Sequence, residues 1–329
     1  METVRVELGD NSYNIDIGEG LLANIRDYVG NWDKLIIITD RNIDSLYGNA
    51  MENALGGVPH CKYVLNPGEE SKSMETVTRV LPYMLENRLT RDSAVVGFGG
   101  GVVGDVAGFC ASVYMRGISF VQVPTTLLAQ VDSSVGGKTG VNLPQAKNSI
   151  GTFHQPGAVV IDTDLLRSLA VREILSGVGE IVKYGIIADY HLFRHVKDNI
   201  PAIIRWESAV IPPLIKRCCE IKAEIVGKDE REAGARKVLN CGHTVGHALE
   251  SVSEYHKYTH GEAVLIGLYH ETRLAGRMGL ITTEYEQEIV ECILSTGVSV
   301  DIGQCSLDRL VEAMAHDKKN KRGRISFIL

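Results

Sequence analysis

The chain has 329 residues, of which 44% are hydrophobic and 23% charged, a composition typical of a globular protein long enough for two domains. Its formal net charge of −7 opposes general nucleic-acid binding, although a local group of lysines and arginines can still hold a small anion. No apolar run reaches the roughly 18 residues of a membrane-spanning helix, and the N-terminal segment METVRVELGDNSYNIDIG lacks the apolar core of a signal peptide. We therefore expect neither a nucleic-acid nor a membrane partner.

The cysteines indicate a reducing compartment. There are seven, scattered along the chain apart from the adjacent pair Cys218 and Cys219. An odd number without framework spacing is typical of reduced thiols rather than of a disulfide scaffold. The expected location is the cytoplasm.

Short β-branched runs alternate with helix-like segments in the first half of the chain. Residues 4–8 and 13–17 alternate apolar and polar side chains around a turn, which predicts a strand pair. Four buried-strand patterns follow, at residues 34–39, 93–98, 118–123 and 158–161. Residues 73–86 have helical periodicity. Strands that alternate with helices predict a parallel α/β sheet.

The pattern changes after about residue 168. Helical periodicity is found at residues 171–199, 213–227, 237–254, 261–278, 283–295 and 307–316. Strand-like sequence returns only at residues 324–329. The second half of the chain is therefore predicted to be a mainly α-helical domain.

A glycine-rich turn, GFGGGVVGD, follows the run at 93–98. Gly99, Gly101 and Gly104 have the spacing G-x-G-x-x-G, in which backbone N–H groups can approach a pyrophosphate at a helix N-terminus. The motif alone fits an ordinary glycine turn equally well. The acidic residue expected about 20 positions later is missing. Asp40, at the end of an earlier strand, can hold a ribose hydroxyl instead, or can simply cap a turn.

The segment DSSVGGKTG places Lys138 in a second glycine-rich loop. It resembles a Walker A loop but has Asp132 where that loop requires glycine, which excludes a nucleotide triphosphatase. Lys138, with Lys147 and Asn148 further on, can hold a phosphate through an ammonium group and backbone donors. The alternative for each lysine is a solvated surface charge.

The segment NCGHTVGHALE carries His243 and His247 one helical turn apart, and His260 follows in THGEA. Glu180 in GEIVKYG supplies a carboxylate. Two imidazoles and one carboxylate with an open position are typical of catalytic zinc, but the spacing does not decide which two histidines bind. Ordinary core or surface histidines are the alternative. Cys241 as a fourth ligand would close the site and make it structural.

Further cationic residues are Arg116, Lys222, Arg236 and those of the run at 316–319. Single charges of this kind are usually solvated. They gain meaning only as a group that holds an anion.

Ten segments, in order along nearly the whole chain, resemble the 3-dehydroquinate synthase family. They are PGEESKS, GFGGGVVGDVAGF, YMRG, QVPTTLLAQVDSSVGGKTGVN, KNSIGTFHQP, GEIVKYG, IKAEIVGKDERE, RKVLNCGHTVGHALE, THGEAV and HDKK. Any one of them is a weak signal, whereas ten in register are specific. Family members usually continue past the position of Leu329 through a turn and a final helix, and none of the site residues named here is lost with that segment.

The resemblance implies an α/β fold, with an N-terminal parallel-sheet, Rossmann-like NAD domain at 1–168 and a mainly α-helical metal- and substrate-binding domain at 169–329. The implied NAD contacts are Asp40, Glu69, Lys72, Gly100, Gly101, Asp105, Thr125, Thr126, Asp132, Lys138, Lys147 and Ser168. The implied zinc ligands, for which cobalt is an acceptable metal, are Glu180, His243 and His260. His247 would then face the substrate.

The resemblance also implies a small phosphorylated sugar acid, 3-deoxy-D-arabino-heptulosonate 7-phosphate, as the substrate. Its phosphate would be held by Lys138, Asn148, Asn240, Lys318 and, in a homodimer, Arg116 of the partner subunit. Lys222 and Arg236 would hold the carboxylate, and Lys183 a hydroxyl. The implied catalytic residues are Lys138, Lys183, Lys222, Asn240 and His247.

The implied reaction uses NAD only transiently. Hydride leaves a secondary alcohol that zinc polarises, phosphate is eliminated beside the new ketone, and hydride then returns. Ring opening and an aldol closure give 3-dehydroquinate, an intermediate of the shikimate pathway to aromatic amino acids. Each step depends mainly on positioning and electrostatics, and the substrate phosphate itself can take the proton.

Three other functions fit parts of the pattern. Other sugar phosphate cyclases act on substrates without a carboxylate, for which Lys222 and Arg236 would have no purpose. A metal-dependent polyol dehydrogenase would release NADH. A non-catalytic NAD-binding regulator would not be expected to retain the full set of ligand and anion-binding residues.

Overall fold

Two units make up the part of the chain that the computed structural model describes, which is residues 1–30, 32–143, 146–253, 256–303, 305–315 and 325–329. The first unit comprises Met1–Leu169 and Ile215–Arg231. The second comprises Ala170–Leu214 and Glu232–Leu329.

A seven-stranded sheet organises the described residues of the first unit, in the order β1-β2-β9-β6-β5-β3-β4. Its strands are β1 Glu2–Val6, β2 Tyr13–Gly18, β3 Leu35–Asp40, β4 His60–Leu65, β5 Ala94–Gly99, β6 Ser119–Pro124 and β9 Ala158–Asp162. Every pairing is parallel except that of β1 with β2. The remaining strands, β7 Lys138–Leu143 and β8 Ala146–Phe153, form a separate antiparallel pair.

Both faces of the sheet are covered, which explains the unbroken apolar run of β3. Ile36 and Ile38 belong to the core on one face, and Leu35 and Ile37 belong to the core on the other. A strand whose alternate side chains are both buried loses the apolar–polar alternation, as in parallel sheets generally. The helices of this unit are α1 Arg41–Leu55, α2 Met74–Glu86, α3 Gly101–Val113 and most of α6 Ile211–Lys228.

Helices make up most of the described second unit. They are α4 Val171–Ala188, α5 Tyr190–Ile204, α7 His243–Val252, α8 His260–Arg277, α9 Thr283–Ser295 and α10 Leu307–Ala315. None of the helices in the described residues is both long and apolar enough to cross a membrane.

The division into units differs in one segment from the predicted boundary at 168 and 169. Ile215–Arg231, expected in the second domain, belongs to the first unit. Its side chains explain the placement, because Cys219 Sγ donates to the Gln130 carbonyl oxygen at 3.3 Å and Lys222 Nζ lies 2.8 Å from Asp132 Oδ1.

Three predicted elements also differ in extent. The segment 171–199 contains two helices, because Asp189 leaves helical geometry at φ −150° and its side chain caps α5 by accepting from Leu192 N. The segment 237–254 contains a short 3-10 helix and then α7, separated at Gly242, whose φ is 78°. The strand expected at 324–329 is wrong for the described residues 325–329, which have no regular structure.

Candidate active site

The glycine turn between β5 and α3 is closely packed, most tightly at Gly99. A Cβ on Gly99 would lie 2.5 Å from Val103 Cγ2, and one on Gly104 would lie 3.0 Å from Gln122 Oε1. Gly100 is the N-cap of α3 and offers no side-chain capping bond. Because glycine has no side chain, this turn places no side chain over the N-terminal N–H groups of α3, as a pyrophosphate site requires.

The carboxyl ends of neighbouring parallel strands bring further predicted NAD residues to the same edge of the sheet. Thr125 N, just after β6, donates to the Gly99 carbonyl oxygen at 3.0 Å. A Cβ on Gly100 would lie 3.0 Å from Thr126 Cγ2, and one on Gly101 would lie 3.1 Å from Ser133 Oγ. Ligands of open α/β sheets bind outside this edge.

Asp40 lies at the end of β3, beside β5, and its side chain caps α1. Oδ1 accepts from Asn42 N at 2.8 Å and from Ile43 N at 3.1 Å. This capping role is the alternative that the sequence left open. Ser168, predicted to contact NAD, ends a 3-10 turn and donates to the Leu165 carbonyl oxygen at 3.2 Å.

Two charged contacts join predicted NAD residues to each other. Lys72 Nζ lies 2.5 Å from Asp105 Oδ2, and Lys147 Nζ lies 3.8 Å from Glu69 Oε1. Burial raises the pKa of the Asp105 carboxyl, and the charge of Lys72 limits that rise. Asn142 Nδ2 also donates to Glu69 Oε1 at 2.7 Å, which ties this group to β7.

The buried Lys222 pairs with the half-buried Asp132 within the first unit. Lys222 Nζ donates to Asp132 Oδ1 at 2.8 Å and to the Asp132 carbonyl oxygen at 2.7 Å. The sequence had assigned these residues to different ligands, NAD and the substrate carboxylate. The structure places the two residues in contact, so a substitution of either residue would change the surroundings of the other.

A hydrogen bond to the buried Tyr13 holds the loop that carries Lys138. Gly136 and Gly137 have φ of 94° and 65°, the left-handed region that favours glycine. Gly136 N donates to the hydroxyl of the buried Tyr13 at 2.9 Å. Lys138 begins β7 with an exposed side chain, and Asn148, on β8, is also exposed.

The second unit brings together Glu180, His243 and His260, which could hold a metal ion. Glu180 Oε1 lies 3.4 Å from His243 Nε2 and 3.3 Å from His260 Nε2. One ligand atom from each residue lies within 4.8 Å of the others. His247, Glu250 and His260 form a second such group, which shares His260 with the first.

Glycines let α4 and α8 approach closely enough to place Glu180 beside His260. A Cβ on Gly261 would lie 1.9 Å from the Ser176 carbonyl oxygen, and one on Gly179 would lie 2.4 Å from the Gly261 carbonyl oxygen. His260 is the first residue of α8, directly after the N-cap Thr259. The packing of α4 against α8 therefore fixes Glu180 and His260 of this candidate metal-binding group.

The two imidazoles have different partners on Nδ1. His243 Nδ1 lies 3.0 Å from the Cys241 carbonyl oxygen, whereas His260 Nδ1 lies 3.5 Å from Glu250 Oε1. Burial by itself lowers the pKa of His260, but the carboxylates of Glu180 and Glu250 outweigh it and raise that pKa to about 10. The carboxylates thus hold positive charge at a place where a cation would bind.

Three other residues that were predicted to contact the substrate also lie in the second unit. Lys183 Nζ forms an ion pair with Glu180 Oε2, and both side chains are buried. Arg236 is 1% exposed in the 3-10 helix Ala235–Asn240. Asn240 Nδ2 donates to Glu232 Oε1 at 2.7 Å.

Two further residues were predicted to contact the substrate, Arg116 and Lys318. Arg116, in the first unit, is exposed and has a left-handed φ of 70°. Lys318 lies outside the described residues.

Comparison with known proteins identifies the family. A family model described as 3-dehydroquinate synthase N-terminal matches residues 62–176, and one described as 3-dehydroquinate synthase C-terminal matches residues 177–320. A 3-dehydroquinate synthase of Alkaliphilus metalliredigens is 52% identical over 329 residues, which cover 100% of this chain and 92% of that protein. The chain belongs to the 3-dehydroquinate synthase family. A further family member, from Caldanaerobacter subterraneus subsp. tengcongensis, is 43% identical and covers 100% of this chain and 94% of its own length.

Solved structures with the same fold include other sugar phosphate cyclases. A 2-deoxy-scyllo-inosose synthase complexed with carbaglucose-6-phosphate, NAD+ and Co2+ aligns with a TM-score of 0.87 at 27% identity, over 97% of this chain and 88% of that chain. ValA, a 2-epi-5-epi-valiolone synthase of Streptomyces hygroscopicus subsp. jinggangensis with NAD+ and Zn2+ bound, aligns with a TM-score of 0.86 at 29% identity, over 94% and 87%. A probable glycerol dehydrogenase from Sinorhizobium meliloti, at 17% identity and a TM-score of 0.70 over 94% and 90%, shares the fold alone.

Three residues that the sequence did not single out support the site in this family member. Tyr13 holds the Lys138 loop. Arg172 donates to Glu262 of the capping box that begins α8. Glu250 contacts His260. Only Glu250 had a signal in the sequence, since a residue seven positions after a metal-binding residue returns to the same helix face.

Proposed function

We propose that the chain catalyses the 3-dehydroquinate synthase reaction, which converts 3-deoxy-D-arabino-heptulosonate 7-phosphate into 3-dehydroquinate and phosphate in the shikimate pathway. The 52% identity over the whole chain to a protein named 3-dehydroquinate synthase carries this proposal. The converging group of Glu180, His243 and His260 and the glycine turn before α3 support it. The reaction needs a polarised alcohol and a bound NAD, and these features suit both.

We propose Zn2+ as the metal on Glu180, His243 and His260, with Co2+ as a substitute. One carboxylate and two imidazole nitrogens are a common catalytic zinc set with a position left for substrate. The ion would polarise the oxygen of the alcohol that NAD oxidises. Lys183 stabilises the negative charge of the buried Glu180 and would also contact a substrate hydroxyl.

NAD binding is proposed for the first unit. Gly100 and Gly101 would present the N-terminal N–H groups of α3 to the pyrophosphate. Asp40 Oδ1 accepts both capping hydrogen bonds of α1. The other carboxylate oxygen, Oδ2, therefore suits a hydrogen bond from a ribose hydroxyl. The other proposed contacts are Glu69, Lys72, Asp105, Thr125, Thr126, Asp132, Lys138, Lys147 and Ser168.

The substrate is proposed to be recognised by its two anionic groups. Arg236 offers a fork of donors that matches a carboxylate, and Lys222 adds a second charge. Lys138 and Asn148 suit the phosphate because both are exposed on the β7–β8 pair. Asn240, His247 and Lys318 complete the proposed substrate contacts.

A homodimer in the cytoplasm is the proposed state of the enzyme, with Arg116 of the partner subunit reaching the phosphate. Arg116 is exposed, and its neighbours Val113 and Met115 are exposed apolar residues, 40% and 36% accessible, that a partner could cover. Burial raises the pKa of the Cys110 and Cys219 thiols to about 12, which suits reduced thiols.

Removal of the metal tests the proposed site. Dialysis against a chelator should abolish phosphate release from the heptulosonate substrate, and added Zn2+ or Co2+ should restore it. His243→Ala should lose both metal and activity, whereas His256→Ala, at an exposed histidine outside both candidate groups, should keep them. Full turnover by metal-free protein would contradict the proposal.

A further inference from the structure

His260 lies between two carboxylates, one toward each ring nitrogen. Nε2 lies 3.3 Å from Glu180 Oε1, and Nδ1 lies 3.5 Å from Glu250 Oε1. Both carboxylates are buried, at 0% and 5% side-chain exposure. Glu180 belongs to the proposed metal-binding group, whereas the proposed function leaves Glu250 without a role.

The two metal-binding imidazoles differ in how firmly their surroundings hold them. The side chain of His243 is 10% exposed, and its Nδ1 meets a backbone carbonyl oxygen. The side chain of His260 is 29% exposed, so its ring has more room to turn. An acceptor on Nδ1 would fix that ring and would keep the Nδ1 proton in place, leaving Nε2 as the ligand atom.

The position of Glu250 suits this role. Glu250 is on α7, which also carries His243 at its first position, so one helix holds both a metal-binding residue and the partner of the other. A buried carboxylate is unfavourable without a hydrogen-bonding or charged partner. The imidazole of His260 is such a partner.

We propose that Glu250 is a positioning residue that orients His260, by accepting a hydrogen bond from Nδ1–H, so that Nε2 points at the metal beside Glu180. The inference rests on the proposed metal-dependent function. A carboxylate behind a metal-binding imidazole fixes the tautomer and makes the ligating nitrogen a stronger donor, and its loss typically weakens metal binding about 10- to 100-fold.

Metal affinity tests this role independently of turnover. Metal-free wild type, Glu250→Gln and Glu250→Ala would be titrated with Co2+ against a competing chelator, with the visible spectrum recorded for each complex. We expect Glu250→Ala to raise the Kd for Co2+ about 10- to 100-fold and to change the spectrum. Glu250→Gln retains an acceptor oxygen without the charge, so its Kd should lie between those of wild type and Glu250→Ala.

Asp162→Asn is the matched control for the loss of a buried carboxylate. Asp162 is 2% exposed in the first unit and accepts from the backbone N–H groups of Gly20 and Leu22. This variant should lower the thermal midpoint of the metal-free protein while leaving the Co2+ affinity and spectrum unchanged. A role of Glu250 in folding alone would give the same result in the Glu250 variants.

Three outcomes would overturn the inference. A wild-type Kd and spectrum in both Glu250 variants would show that Glu250 does not act on His260. Two Co2+ ions per wild-type chain, with one lost in the variants, would make Glu250 a ligand together with His247. Absence of Co2+ binding by wild type would instead overturn the proposed function, and this inference with it.

Discussion

Three of the cationic residues predicted to contact the substrate are almost completely buried. Arg236 is 1% exposed, Lys183 is 2% exposed and Lys222 is 6% exposed. The sequence left open whether such charges are solvated, and these three are not. Burial of a charge is unfavourable by several kcal/mol unless it is compensated, and such groups concentrate at functional sites. Lys183 is compensated by Glu180 and Lys222 by Asp132.

Arg236 is the residue on which the substrate assignment depends most. Its loss removes a charge-assisted contact worth on the order of 2–4 kcal/mol in the transition state, so Arg236→Ala should lower kcat/KM for the heptulosonate roughly 30- to 1000-fold. Arg236→Lys keeps the charge but loses the paired donors of the guanidinium, so its kcat/KM should lie between those of wild type and the alanine variant. Steady-state kinetics with separate measurement of NAD affinity checks this, since NAD affinity should stay near that of wild type.

Arg205→Ala provides the control, because the Arg205 side chain is 66% exposed and pairs with the exposed Glu207. It should change stability by less than about 0.5 kcal/mol and leave kinetics alone. Wild-type kcat/KM in a folded Arg236→Ala variant would refute the carboxylate role.

The candidate metal-binding group, Glu180, His243 and His260, was easier to find in the sequence than the contacts that support it. Two histidines one helical turn apart and a carboxylate are visible in the sequence because zinc requires those residue types. The choice between His243 and His247 required the family resemblance, since both point to one helix face. The pairing of Lys222 with Asp132 could not be predicted, because 90 positions separate them and only tertiary packing joins them.

The contact between helices α4 and α8 holds Glu180 beside His260 in the candidate metal-binding group. It depends on glycines, because a Cβ on Gly261 would lie 1.9 Å from the Ser176 carbonyl oxygen. Backbone atoms cannot move aside as a flexible side chain can. The helices would have to separate, and Glu180 would move relative to His260.

Gly261→Ala should therefore destabilise the protein and weaken metal binding together. Overpacking of this kind costs about 1–3 kcal/mol, measurable as a lower urea midpoint, and the Kd for Co2+ should rise. Gly157→Ala is the matched control, since its Cβ would meet only the Phe120 carbonyl oxygen at an ordinary 3.7 Å. Equal urea midpoints and Kd values for the two variants would rule out this role of the helix contact.

Elements with a strong apolar pattern were predicted well, and those without one were missed. The run at 34–39 predicted β3 because the strand is buried on both faces. β4 His60–Leu65 lies at the sheet edge and is mostly half-buried, so its sequence, HCKYVL, gives little pattern. β8 has no buried residue among AKNSIGTF, and its pairing with β7 could not be read from the sequence.

At the scale of the whole molecule, the sequence predicted the two-part organisation but not how the chain is shared between the parts. A boundary near residue 168 separates a strand-rich sequence from a helical one. α6 looks like the other helices of the second half, yet most of it packs in the first unit. Helical periodicity shows which face is buried but does not show against what. The net charge of −7 likewise gives no sign of the buried cations, because it sums over the whole chain.

In the proposed reaction, NAD is used and regenerated in each turnover while phosphate leaves the substrate. The direct measurement is phosphate release from 3-deoxy-D-arabino-heptulosonate 7-phosphate by metal-loaded enzyme with NAD at a small fraction of the substrate concentration. We expect release of phosphate equal to the substrate supplied, no accumulation of NADH, and almost no release from glucose 6-phosphate, which lacks the carboxylate. Phosphate release that stops when the NAD is exhausted, accumulation of NADH, or a preference for the hexose phosphate would contradict it.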